Sequence, residues 1–119
     1  MASIEDLVGR ILIRVDLREV DSEVVFHCLD GARYVMQHQQ DCCESVYLQD
    51  VIGDVQDLHG MVTEAYEASS EDVPALDGYA ESFTWTFYVL STRRGAVTLR
   101  WYGTSNGYYS ERVDFTRAN

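Results

Sequence analysis

Apolar and polar residues alternate at both ends of the chain. In RILIRVDLREV (10–20), Ile11, Ile13, Val15 and Leu17 fall on one side and Arg14, Asp16 and Arg18 on the other. That period of two predicts a strand with one dry face. EVVFHCL and ARYVMQH flank Asp30-Gly31, a strong hairpin signal. A two-residue turn there pairs Leu29 with Ala32 and His27 with Tyr34, so three strands open the chain as a meander. SFTWTFYVLST, AVTLRWYGT and YYSERVDFT read as three more strands, joined at RRG and SNG. Three-residue loops at Arg93-Arg94-Gly95 and Ser105-Asn106-Gly107 set Phe87 against Trp101, Val89 against Leu99 and Leu99 against Val113. Phe83, Trp85, Phe87, Val89, Val97, Leu99, Trp101, Val113 and Phe115 then share the inner face. The opposite face carries Thr84, Thr86, Tyr88, Arg100, Tyr102, Tyr108 and Arg112, a half-wet strand surface or a tyrosine–arginine binding face.

The middle third follows a different rhythm. Leu48, Val51, Ile52 and Val55 stand at i, i+3, i+4 and i+7, and Asp41 and Glu44 have the spacing of a capping box, which together predict a helix. SVYL pulls the same residues toward a strand. A helical turn is expected over IEDLVG after Ser3, and a second over VQDLH between Asp54 and Gly60. YEASSEDVPALDGYAE (66–81), with the only proline and five acids, reads as a loop. The expected fold is α+β: an antiparallel sheet of about six strands, two three-stranded meanders, with one or two short helices in the acidic middle segment.

At 119 residues the chain is expected to form a single domain over 1–119. No apolar run approaches a membrane span, and MASIEDLVGR lacks a secretory signal layout, so a cytoplasmic protein is expected. Cys28, Cys42 and Cys43 are then expected as reduced thiols. All nine basic residues are arginines. Residues 1–40 hold seven acids and four arginines, residues 41–81 eleven acids and no base, and residues 82–119 two acids and five arginines. Such a middle segment does not suit a phosphate backbone, so no direct nucleic acid binding is expected. It suits either a solvated surface or an acidic patch, including Asp41, Glu44, Asp50, Asp54 and Asp57, that docks on a basic partner.

HQQDCCESVYLQD (38–50) gathers the residues with most chemical promise. His38, Cys42 and Cys43 are weak metal candidates, because a structural zinc takes four Cys or His ligands in spaced pairs and these cysteines are adjacent. A thiol nucleophile there gains from a helix start and loses to Asp41 and Glu44. Asp50, Asp54 and Asp57 do not match an EF-hand, and neither a P-loop, a nucleophile elbow nor a zincin motif occurs. No cofactor is expected, and no enzyme.

HQQDCCESVYLQDVIGDVQDL and WTFYVLSTRRGAVTLRWYGTSNGYYSERVDF resemble a family of small acidic proteins encoded mostly by tailed phages and prophages. The resemblance spans most of the chain and brings no established activity. It implies expression in a bacterial host cytoplasm, in genomes whose small acidic proteins often disable host machinery. Four functions follow as expectations. The leading one is a non-enzymatic protein acting on a host protein with a basic surface, for counter-defence or host takeover. The others are a binder of nucleotide signals through Arg100, Arg112 and their tyrosines, a thiol or metal enzyme at His38, Cys42 and Cys43, and a virion component.

Overall fold

The computed structural model describes residues 2–18, 22–40, 43–70, 74–76, 82–107 and 109–118. Among the described residues nine strands form two antiparallel sheets: β1 (Ile11–Arg18), β2 (Glu23–Cys28), β3 (Arg33–Gln37), β4 (Ser45–Ile52), β5 (Gly60–Met61), β6 (Glu64–Ser70), β7 (Ser82–Thr92), β8 (Gly95–Ser105) and β9 (Asp114–Arg117). The five-stranded sheet runs β5-β1-β2-β3-β9 and the four-stranded sheet β4-β8-β7-β6. Two 3-10 turns, Ile4–Leu7 and Val55–Leu58, are the only helical elements among the described residues, so the expected α+β class resolves to mainly antiparallel β. Both turns fall where the sequence places them. Ser3 precedes the first, and Asp54 starts the second by accepting a hydrogen bond from the Gln56 amide. Neither is long and apolar enough to cross a membrane.

The helix expected over the middle third is the strand β4. Its inward residues are Val46, Leu48 and Val51, packed on the core. A bulge at Gln49, between the pairs Leu48–Trp101 and Asp50–Arg100, turns the spacing of two into three at that point. The apolar stripe that imitates a helix is thus a bulged strand. The first part of the expected 66–81 loop is likewise a strand, β6, paired along its length with β7.

Register differs from expectation in three places, each by a single residue. In β1 a bulge at Ile13 puts Leu12, Val15 and Leu17 inside, and leaves Ile11 and Ile13 exposed at 41% and 52%. The β2–β3 turn takes three residues, with Cys28 donating to the Ala32 carbonyl and Gly31 at φ +91°. Asp30 accepts from the Ala32 amide and fixes that turn, so Phe26, not His27, lies opposite Tyr34. The β7–β8 turn takes two residues, Arg93 and Arg94, with Thr92 opposite Gly95. Phe87 consequently meets Arg100, not Trp101, and the faces of β7 exchange. Thr86, Tyr88 and Leu90 point inward, while Trp85, Phe87 and Val89 point outward.

The final strand crosses to the other sheet. After Ser105 the chain passes over β8 at Gly103, where a Cβ would lie 2.9 Å from the Glu111 carbonyl oxygen. β9 then pairs with β3, Met36 opposite Phe115, so the expected pairing of Leu99 with Val113 does not form. Between the sheets Phe26, Met36 and Phe115 pack with Leu90, Leu99 and Trp101 in one core, closed at its end by Leu7, Leu58 and Val62. Each fully buried side chain of this kind stabilises by roughly 1.5–3 kcal/mol.

Candidate functional site

The HQQDCCESVYLQD stretch links the two sheets. His38 follows β3 and Glu44 precedes β4, with side chains 4% and 0% exposed. The Arg112 carbonyl lies 2.7 Å from His38 Nδ1, and a carbonyl can only accept, so Nδ1 carries a proton. Nε2 faces Glu44 Oε1 at 3.1 Å, which places a second proton between imidazole and carboxyl. Gln40 donates to the Glu44 backbone carbonyl. This is a buried strut and not an open reaction centre.

The thiol and metal readings lose their parts. Cys43 is disulfide-bonded, contrary to the expected thiol, and a disulfide sulfur is neither thiolate ligand nor nucleophile. Asp41 and Cys42 lie outside the described residues. Cys28 is a free, buried thiol whose pKa is pushed up by burial, the state of an inert core cysteine. His27 is bound to Asp16 at 3.1 Å on the outer face of the five-stranded sheet. Among the described residues no group of three or more His, Cys, Asp or Glu side chains could hold a metal ion.

The tyrosine–arginine face divides in two. Tyr88 is buried on the inner side of β7 and donates to Glu67, and burial together with that carboxylate pushes its pKa up. Arg112 stands on the segment leading to β9 and lines a cleft with Thr84 and Thr86 on the inner side. Tyr108 lies outside the described residues. Arg100 and Tyr102 share the outer side, and there the register brings in residues that sequence patterning placed in the core. The Arg100 guanidinium lies 4.9 Å from the Trp85 ring and 5.8 Å from the Phe87 ring. Trp85 packs on Tyr102 at 4.6 Å and Tyr102 on Tyr47 at 6.1 Å. Residues 74–76 cross one end of this face: Trp85 donates to the Pro74 carbonyl and the Leu76 amide donates to the Tyr102 hydroxyl. The signal for this cluster in the sequence is the length of the Arg93–Arg94 turn, which decides which side of β7 faces out.

The described acids of the middle segment do not gather on one ridge. Glu44 is interior, Asp50 sits on the outer face beside Arg100, and Asp54 and Asp57 belong to the second 3-10 turn. Glu64 and Glu67 stand on β6, at the edge of the sheet opposite β4.

No curated protein and no solved structure matches the chain. Residues 5–115 match the model of DUF7448, a domain of unknown function, and the chain belongs to that family.

Proposed function

We propose that the protein is a non-enzymatic binding module of the phage type, acting in a bacterial host cytoplasm on a host protein with a basic surface. The observation that carries this reading is the distribution of ion pairs. Arg10–Asp30, Arg14–Asp16, Arg18–Glu23 and His27–Asp16 all lie within residues 10–30, and the remaining described pair is His38–Glu44. Among the described residues, Asp54, Asp57, Glu64 and Glu67 have no basic partner. Charges unmatched within a protein cost little in water and favour a partner of opposite sign, which they also steer toward encounter.

The test is capture from bacterial lysate at low and high salt, with the native protein and an Asp54→Asn/Asp57→Asn/Glu64→Gln/Glu67→Gln variant. A host protein held by the native form, released by salt and not held by the variant is the expected result, because exposed charge attraction is screened. Capture that ignores both salt and the four neutralisations defeats the reading.

A further inference from the structure

The Arg93–Arg94 turn, which sets the phase of β7, also forms one wall of a cleft. The Thr92 hydroxyl accepts from the Arg94 amide at 3.2 Å and donates to the Asp57 carbonyl, which ties this turn to the second 3-10 turn. Further on, the Thr63 amide and hydroxyl both donate to the Ser91 carbonyl, at 2.8 and 3.2 Å. The segment from 57 to 63 is thus anchored at both ends to the last residues of β7. Between the anchors, Gly60 and Met61 are held by β1, opposite Leu12 and Ile11. Gly60 takes φ +131°, while a Cβ there would meet nothing within 4 Å, so conformation and not crowding calls for glycine. His59, Gly60, Met61, Thr92, Arg93 and Arg94 line the resulting cleft, which has a volume of about 440 Å³.

The walls of this cleft are basic. Arg93 and Arg94 are exposed, and among the described residues neither their side chains nor that of His59 makes a hydrogen bond, ion pair or ring contact. No carboxylate lines the cleft. Asp57 turns its carboxylate to Gly95, where a Cβ would lie 2.9 Å from Oδ2, and pairs with neither arginine. The geometry points to a binding site for a phosphate monoester carried by a small molecule. The planar fork of a guanidinium matches phosphate oxygens in pairs, and two guanidiniums with an imidazole suit a dianion. The volume falls within the roughly 300–1,000 Å³ of small-molecule sites. Met61, 53% exposed, offers an apolar wall to the organic part, and its thioether suits an aromatic ring. A polymeric phosphate backbone fits less well. On leaving the cleft it would run toward Asp57 and Glu64, the latter opposite Ser91, in a chain of net charge −11. The site does not rest on the proposed host contact, which uses carboxylates.

NMR spectra of the native chain, titrated with phenyl phosphate at constant ionic strength, test it. Saturable shifts centred on residues 59–61 and 92–94 are expected, with a dissociation constant of about 1 mM or tighter. Arg93→Ala and Arg94→Ala, both at exposed turn positions, are each expected to weaken binding about tenfold while the spectrum stays dispersed. Arg94→Lys, which keeps the charge and loses the fork, should recover only part of that loss. Inorganic phosphate should shift the same residues with lower affinity, and Met61→Ala should narrow the gap between the two ligands. The proposal is overturned by an absence of shifts at these residues, by shifts that sodium chloride reproduces, or by binding that survives Arg93→Ala/Arg94→Ala. Inorganic phosphate binding as tightly as phenyl phosphate overturns the assignment to a monoester. A DNA duplex that shifts the same residues at lower phosphate concentration overturns the assignment to a small molecule.

Discussion

The two sheets share a core but treat their charges in opposite ways. On the five-stranded sheet, acids and bases close in sequence answer one another: Arg14 meets Asp16 at 2.6 Å, His27 joins the same carboxylate at 3.1 Å, and Arg18 meets Glu23 across the β1–β2 hairpin. On the four-stranded sheet Arg100 rests on aromatic rings, while Asp50, Glu64 and Glu67 have no basic partner among the described residues. The difference is one of strand composition. β1 mixes both signs, whereas β4 and β6 carry acids alone. One sheet pairs acids with bases around its first hairpin, and the other leaves Asp50, Glu64 and Glu67 without a basic partner among the described residues.

The comparison holds only if the sheets unfold together, which core truncation tests with the largest effect. Phe26 in the five-stranded sheet and Leu90 in the four-stranded sheet are both 0% exposed. Phe26→Ala is expected to cost about 3–5 kcal/mol and Leu90→Ala about 2–5 kcal/mol in denaturant titrations. Trp85 and Trp101 both lie in the four-stranded sheet, so their fluorescence should follow the loss of Phe26 in the same transition seen by circular dichroism. Two separate transitions would make the sheets independent.

Next comes the pair that ties them. Glu44→Ala leaves His38 buried without its carboxylate and is expected to cost about 3 kcal/mol, read as a lowered melting temperature. Smaller effects separate the two charge regimes. The Arg14 guanidinium, with His27 adding to it, holds the Asp16 carboxyl below its ordinary 3.8 against the opposing pull of burial. A depressed folded-state pKa gives stability that is full above about pH 4 and lost as pH falls through the folded value. Asp16→Asn should flatten the acid limb of the stability profile and cost less than about 1 kcal/mol near neutrality. Neutralising Asp54, Asp57, Glu64 or Glu67 singly should change stability by no more than about 0.5 kcal/mol. The sign should be favourable, and larger at low salt, because each change relieves repulsion in a chain of net charge −11.

Strand existence was legible at both ends of the chain; strand phase was not. β7 is apolar on both faces, so Trp85–Phe87–Val89 and Tyr88–Leu90 compete for the interior on nearly equal terms. The choice passes to one turn residue. In β1 and β4 a bulge shifts the alternation midway, which hides Leu12 in the first and makes Leu48 and Val51 look helical in the second. The partner of β9 depends on a crossing at Gly103, a contact between segments that no local pattern records. Of the candidate site, Arg100 and Tyr102 stood out as an arginine among tyrosines. Trp85 and Phe87 did not join them, because residues so apolar are assigned inward by default. His38 and Glu44 were visible as chemistry, but their role as a strut needs the Arg112 carbonyl, which is brought in by the distant β9 segment.

That same β9 segment has a consequence for synthesis. Four strands of the five-stranded sheet come from the first 61 residues, yet β3 keeps a bare edge until Arg117 has been made. The Ala2 amide must also wait for the Phe115 carbonyl. Such long-range closure slows folding and leaves a sticky strand edge on the nascent chain. A ribosome stalled before residue 114 should therefore display a half-built sheet, open to strand addition from neighbouring chains.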